Sequence, residues 1–414
     1  MQESSQERYR MREARVAAAV RLEVPDRVPF VPLFTFFPAR YAGITFEKAM
    51  YDLESVSLAW KKAILDFEPD MYNAYTPLAI GPMLDTLQCR WLKWPGHGVA
   101  PGQTYQFVEN EYMKAEEYED FLSDPTDFLM RRFLPRAYGA LEGIGALPSL
   151  PSLYYTRFLT GLSALAAPGV EEAFEQLFQA ARDALRVVSR AKAFIEEMKG
   201  LGFPCQFAGA AYAPFDYLGD FLRGTRGVML DMYRCPEKLL AATERLIPRI
   251  LAGAVAPARA SGIPYVFMPM HKGLDGFMSL QQFKTFYWPS LRLIILRLID
   301  EGLVPLVLWE GNCTSRLDTI RDIPRGKAIY WFERTDIFKA KEVLGDTVCI
   351  RGNVPPSLLN VGSPEEVREY CKRLILEVGK GGGFILDGSL GIPDEAKPEN
   401  VRAMADAVKE FGIY

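Results

Sequence analysis

The stretch Thr347-Val348-Cys349-Ile350-Arg351-Gly352-Asn353-Val354-Pro355-Pro356 opens a segment, running to residue 400, whose reading decides the fold. An apolar run ends there in polar residues beside a glycine. Gly362-Ser363-Pro364-Glu365-Glu366-Val367 follows, and a helix-period pattern continues to about residue 380. Ser363 is placed to cap that helix, Pro364 suits its first position, and Glu366 completes a capping box. Gly381-Gly382-Gly383 leads into a second apolar run, Phe384-Ile385-Leu386, which again ends beside a glycine at Asp387-Gly388. A last helix is predicted over about residues 397–410. A strand that returns parallel after a helix needs a right-handed crossover. In α/β folds, ligands bind at the carboxyl ends of such strands.

Working outward, the same alternation recurs. Residues 8–21 read as an amphipathic lead-in helix, 27–34 as a first buried strand, about 46–67 as a helix, and 69–75 as a second strand. Further strand-like runs are 204–210, 263–268, 304–308, 328–332, 348–350 and 384–386. All are continuously apolar, as strands covered on both faces are. About eight strands alternating with helices predict a (β/α)₈ TIM barrel, with a doubly wound open sheet as runner-up. No GxGxxG follows the first strand, so a dinucleotide fold has little support. Residues 76–168 break the pattern and read as an insertion after the second strand, with a hairpin-like piece at 105–113. Residues 171–199 read as one long amphipathic helix, and the whole chain, 1–414, as a single barrel domain.

The composition suits a globular enzyme: 414 residues, 49% hydrophobic, 24% charged, net charge −4. No long run of one charge points to nucleic acid or an anionic membrane. No apolar run approaches a membrane span and the N-terminus carries no signal core, so a cytoplasmic location is expected. Six scattered cysteines, none in a CxxC pair, read as reduced thiols. Only two histidines, His97 and His271, exist to serve any mechanism.

The strand ends carry Tyr212, His271, Glu310, Glu333, Asn353 and Asp387. His271 opens a glycine-rich loop; it reads either as a surface histidine or as a ligand, acid or donor. Glu310 directly follows Leu306-Val307-Leu308-Trp309, and a carboxylate there is costly unless it is paired or faces a cavity. Asp387 follows the same logic. Together the three could form a hard metal site, with His271 and Glu310 as ligands, or a metal-free proton-transfer set. Glu333 is expected to pair locally, Asp336 to cap the next helix, and Cys313 to be a buried thiol, with a ligand role as its alternative. His97 reads as a turn residue. Tyr72, Tyr212 and Trp309, with Asn353 and Arg40, are the candidate substrate-binding residues of an aromatic-rich pocket.

Several of these pieces carry a resemblance. Gly352-Asn353-Val354-Pro355, Gly362-Ser363-Pro364-Glu365-Glu366-Val367, Gly382-Gly383-Phe384-Ile385-Leu386, Gly391-Ile392-Pro393 and Pro398-Glu399-Asn400-Val401 resemble the uroporphyrinogen decarboxylase superfamily. Asp26-Arg27-Val28-Pro29-Phe30, Ala213-Pro214-Phe215 and Gly276-Phe277-Met278-Ser279 agree with it. The resemblance implies a (β/α)₈ barrel. Its decarboxylases act on uroporphyrinogen without a cofactor and share an arginine-rich first loop; here that loop is Phe36-Phe37-Pro38-Ala39-Arg40-Tyr41-Ala42-Gly43, and only Arg40 remains. Its thiol methyltransferases hold zinc through a His-x-Cys pair and a further Cys; the matching positions are Leu308, Glu310 and Leu390, so that motif is absent.

The remaining branch implies a corrinoid-dependent methyltransferase of the O-demethylase type. It would move a methyl group from a small substrate, such as a methoxylated aromatic, to the cobalt(I) corrinoid (cobalamin) of a partner protein. His271, Glu310 and Asp387 would serve the leaving oxygen, as acid and orienters or through zinc. The alternative is a decarboxylase of a porphyrinogen or another acid, and the third reading is a binding protein of the same fold. A homodimer is open to the chain.

Overall fold

A computed structural model describes residues 4–148 and 155–414. Six strands form one all-parallel sheet in the order β4 (Gly209–Ala210), β5 (Tyr265–Met270), β6 (Val304–Trp309), β7 (Ile329–Phe332), β8 (Cys349–Arg351) and β9 (Phe384–Ile385). Helices connect successive strands. The capping box at Ser363 forms as its sequence predicts: the Glu366 N–H donates to Ser363 Oγ at 3.2 Å, and the Ser363 N–H to Glu366 Oε2 at 2.8 Å.

The first two predicted strands are extended segments with single bridges. Phe30 bridges Leu386 in parallel, Tyr72 bridges Cys205 in parallel, and the Asp70 N–H donates to the Phe30 carbonyl at 2.8 Å. Pro29 and Pro32 have no N–H to give a ladder, which limits the first segment to isolated contacts. These two segments occupy the first and second positions of the barrel.

Side chains alternate across the strands. Val31, Leu306, Leu308, Ile329, Trp331, Cys349 and Ile385 pack together inside the ring. Val266, Met268, Val307, Trp309, Tyr330, Phe332 and Ile350 face the helix layer. The lead-in helix Ser5–Val20 adds Val16, Ala19 and Val20 to the inner cluster, which places it across one end of the ring. There Arg15 and Arg27 both pair with the fully buried Asp70, which also accepts the Phe30 N–H at 2.8 Å. A buried carboxylate needs such partners to stay charged.

Three sequence readings change. The helix expected over 46–67 is two helices, Phe46–Tyr51 and Leu53–Phe67, because Asp52 leaves the helical conformation and caps the second. The hairpin expected at 105–113 reduces to β3 (Gln106–Phe107). It pairs with β1 (Leu92–Pro95) of a small sheet that also holds β2 (Gly98–Val99). The long helix begins earlier, spanning Pro168–Gly200. Between residues 76 and 168 the described chain is otherwise short helices. Buried Arg223 ties this region to the barrel, bonding to Asp231, Glu111 and the Met113 carbonyl, while Tyr118 Oη donates to Asp231 at 2.8 Å.

Inside the ring, Arg351 and Asp387 form a fully buried pair at 2.8 Å. Arg351 also donates to the Val31 carbonyl at 2.8 Å and lies over the Trp331 ring, and Asp387 accepts the Gly388 N–H at 2.7 Å. Burial pushes the carboxyl up and the guanidinium down, and each offsets the cost of the other. Asp387 is therefore a structural partner of Arg351, in place of the catalytic role its strand-end position suggests. Asp387→Asn leaves a buried cation unpaired and is expected to lower unfolding stability by about 3–5 kcal/mol in denaturant titration; an unchanged midpoint would contradict this assignment.

Candidate active site

The candidate groups gather around the loop after β5. The helix Pro214–Tyr217 and the turn that follows it, Leu218–Leu222, carry Asp216 and Asp220 four residues apart, on one face. Fully buried Asp216 accepts the backbone N–H of His271 at 2.8 Å, that of Lys272 at 3.0 Å and the hydroxyl of Tyr287 at 2.5 Å. It fixes the loop backbone. Asp220 accepts the imidazole Nδ1–H of His271 at 2.6 Å and also binds the Lys272 ammonium. His271 Nε2 then faces Glu310 Oε1 at 3.5 Å. The His271 and Glu310 side chains keep 31% and 32% of their surface exposed, so both reach solvent at the strand ends.

Two glycines make this approach feasible. A Cβ at Gly273 would meet the Tyr287 ring at 2.5 Å, so only glycine lets the loop lie against that ring. Gly311, with φ +142°, turns the chain immediately after Glu310, and a Cβ there would meet Leu274 at 2.6 Å.

The charges are set by this packing. Burial opposes a charge on His271, but its hydrogen bonds to Asp220 and Glu310, and the charges of Asp216 and Asp220, outweigh it and push the imidazole up to about 10. Burial would raise Asp220, yet the hydrogen bond and charge of His271, with Lys272, hold it below the ordinary carboxylate range. Burial lifts Asp216 to about 6, partly offset by the charge of His271. At neutral pH the site thus presents an imidazolium whose Nε2–H points at a carboxylate.

Aromatic groups surround it. Tyr212 packs edge-on against Phe221 and senses the charges of Asp220 and Glu310. Tyr105, beside the small sheet, lies within electrostatic reach of Asp394, Glu310 and Tyr212, and burial raises its phenol to about 12. The segment around Tyr105 therefore lies at the barrel mouth, where Tyr105 packs edge-on against Phe36. Asp394 itself accepts the Phe36 N–H at 2.6 Å, joining the end of the first segment to the loop after β9.

His271, Glu310 and Tyr212 thus come together, and the other sequence candidates do not join them. Asp387 is held by Arg351. Trp309 and Tyr72 are wholly buried on the helix side: Trp309 packs on Phe283 and Tyr330, and Tyr72 packs edge-on against Phe194. Strand alternation turns both away from the mouth, which corrects their substrate-binding reading. Asn353 bonds to the Thr335 carbonyl at 3.4 Å and to Tyr370 Oη at 3.3 Å, tying loops together. Arg40 is exposed on the helix Phe37–Tyr41. Cys313 is buried against Thr335 at 3.2 Å, with its thiol raised to about 12 by burial. Glu333 pairs with Arg334, Asp336 caps its helix, and His97 stacks on Trp94 in a turn, as their sequence suggests.

Among the described residues no group of three His, Cys, Asp or Glu side chains is arranged to hold a metal ion. Among the described residues His271 and Glu310 thus offer two donors, fewer than the three or four protein ligands of a zinc site. Asp216, Asp220, Lys272 and Tyr105 were not visible as site residues from the strand ends. The Asp216/Asp220 spacing behind Ala213-Pro214 was the available signal.

A family model described as Uroporphyrinogen decarboxylase (URO-D) matches residues 164–411. The chain belongs to the uroporphyrinogen decarboxylase family. A uroporphyrinogen decarboxylase of Coxiella burnetii (strain Dugway 5J108-111) is 25% identical over 252 residues, covering 60% of this chain and 66% of that relative. One from Methylococcus capsulatus is 31% identical over 117 residues, 28% of this chain and 33% of the relative. The match thus spans just under two thirds, or less, of these curated relatives. A methyltransferase from Methanosarcina mazei shares the fold: TM-score 0.62, 17% identity, covering 97% of this chain and 98% of that one. Among the described residues no helix is long and apolar enough to cross a membrane.

With a folded value near 10 against about 6.5 when unfolded, His271 contributes stability that is complete below about pH 6.5 and lost as pH rises through about 10. Its imidazole resonances are expected to titrate near pH 10 in NMR, and well below that in Asp220→Asn. Titration near the ordinary histidine range in the unaltered protein would contradict the Asp220 contact.

Proposed function

We propose that this protein is a methyltransferase of the O-demethylase type, removing the methyl group of a small methoxylated aromatic compound. The observation that carries this reading is the imidazolium of His271, held by Asp220 and aimed at Glu310 among Tyr105 and Tyr212. When an aryl methyl ether loses its methyl group, the C–O bond breaks and the electron pair stays on oxygen. The phenolate so formed needs a proton or a donor. A phenol titrates near 10, and His271 is pushed up to about 10. His271 therefore carries a proton at neutral pH, where the phenolate needs one. Glu310 positions the donor. Asp220 holds the ring in the tautomer that keeps Nδ1–H inward. Tyr105 and Tyr212 offer faces for a flat substrate.

The methyl acceptor in this reading is the cobalt(I) corrinoid of a partner protein, which enters as a co-substrate. Support comes from the fold shared with the Methanosarcina mazei methyltransferase, together with the absence of the arginine cluster that a porphyrinogen with many carboxylates would require. The groups at the mouth are instead largely acidic: Asp220, Glu310 and Asp394. The name of the curated relatives favours the other reading, decarboxylation of a carboxylic acid.

Anaerobic incubation of the purified protein with cob(I)alamin and a panel of methoxyarenes, methylamines and thioethers separates the two. Demethylation of a methoxyarene is expected, with kcat/KM lowered roughly 10²–10⁴-fold in Glu310→Gln and His271→Gln. Turnover of no methylated compound, alongside carbon dioxide release from uroporphyrinogen without cofactor, would replace this reading with the decarboxylase. Ligand binding without any turnover would make the protein a binding member of the family.

A further inference from the structure

Among the described residues five aspartates are buried: Asp70, Asp216, Asp231, Asp387 and Asp394. Four of them have a cation to answer them. Asp70 pairs with Arg15 and Arg27, Asp231 with Arg223 and Asp387 with Arg351, while Asp216 feels the charge of His271. Asp394 is the exception. It is 7% exposed, and its hydrogen bonds come from neutral groups, the Thr35 hydroxyl at 2.5 Å and the Phe36 N–H at 2.6 Å. Among the described residues no ion pair reaches it. Burial raises its carboxyl, the bonds from Thr35 and Phe36 offset this only in part, and the charge of Glu395, another carboxylate, raises it further. A carboxylate buried without a counter-charge is costly.

Asp394 lies where a bound molecule would meet it. Val31 and Leu33 pack inside the ring, so by alternation Thr35, which holds Asp394, also faces inward at the mouth. Ser389 continues the inward series of Ile385 and Asp387 at the end of β9; it is buried, and its hydroxyl has no hydrogen-bond partner. Tyr105 packs edge-on against Phe36, with ring centres 6.0 Å apart, and lies within electrostatic reach of both Asp394 and Glu310. Thr35 ends the first strand position of the barrel and Glu310 follows the fifth, so the two face each other across the ring. A flat ring lying on Tyr105 has His271 and Glu310 toward one end and Asp394 toward the other.

We infer that Asp394 is the subsite for a cationic group, and that the substrate is a methoxylated aromatic amine with its ammonium against Asp394 and Ser389 and its ether oxygen at His271. The ether end rests on the demethylase reading; the cation subsite rests on Asp394 itself. An ammonium supplies the charge that Asp394 lacks, and its three N–H donors suit a carboxylate and a hydroxyl together. Tyr105 and Phe36 add aromatic rings beside it. A carboxylated substrate would instead set like charges together where solvent screens them least.

Calorimetric titration of the full chain tests it with three compounds, each a guaiacol ring carrying an aminoethyl, an ethyl or a carboxyethyl group para to the hydroxyl. The amine is expected to bind about tenfold or more tighter than the neutral compound, and the carboxylate most weakly. Asp394→Asn keeps an acceptor oxygen for Thr35 and Phe36, and circular dichroism checks its fold. It is expected to remove the preference for the amine over the neutral compound. An amine that binds no tighter than the neutral compound would overturn the proposal, as would a preference that survives Asp394→Asn. An equal loss of affinity for all three compounds in that variant would also overturn it, leaving Asp394 a structural tie. Incubation with cob(I)alamin separates the two readings. Tight binding of the amine without methyl transfer removes the demethylase and leaves the cation subsite; equally efficient methyl transfer from all three compounds removes the subsite and leaves the demethylase.

Discussion

Negative charge buried beside a histidine governs the site. Asp216 and Asp220 sit on one face of a short helical turn, and both reach for the same loop, one through its backbone and the other through its side chains. Burying two carboxylates so close together is unfavourable unless cations and N–H groups answer them. Here the answer is His271 and Lys272, with Tyr287 completing the shell of Asp216. The histidine consequently holds its proton far above neutrality, and its remaining N–H faces Glu310 at the barrel mouth. The chemistry proposed for the protein is the outward half of that arrangement.

The rest of the fold holds these groups still. Residues inside the ring are mostly aliphatic or aromatic, and the two charged groups placed there, Arg351 and Asp387, neutralise one another and tie three strand positions together. At the end covered by the lead-in helix, Asp70 does the same for Arg15 and Arg27. These buried charges are spent on structure, unlike His271 and Glu310 at the mouth. That separation distinguishes a candidate site carboxylate, such as Glu310, from one that merely sits at a strand end, such as Asp387.

The sequence made the barrel readable because its strands are continuous apolar runs punctuated by glycine and its caps follow simple chemistry, as at Ser363 and Asp336. It was less informative about orientation. Trp309 immediately precedes Glu310, yet the two point to opposite sides, because strand side chains alternate. Tyr72 failed as a pocket residue for the same reason. Asp387 is paired, as a carboxylate after an apolar run must be unless it faces a cavity, and its partner, Arg351, lies in the very stretch that reveals the fold. Asp216 and Asp220 escaped notice because their role comes from a contact across more than 50 residues, which periodicity does not encode. Tyr105 reaches the mouth only through the packing of an irregular region, and no local pattern announces that.

The most direct measurement of the central claim is a crystal structure of the protein with a methoxyphenol or its demethylated product bound. The account predicts the aromatic ring between Tyr105 and Tyr212 and its oxygen within about 3 Å of His271 Nε2 or Glu310. A ligand whose oxygen instead lies against Arg40 or Asn353, with His271 and Glu310 untouched, would contradict it.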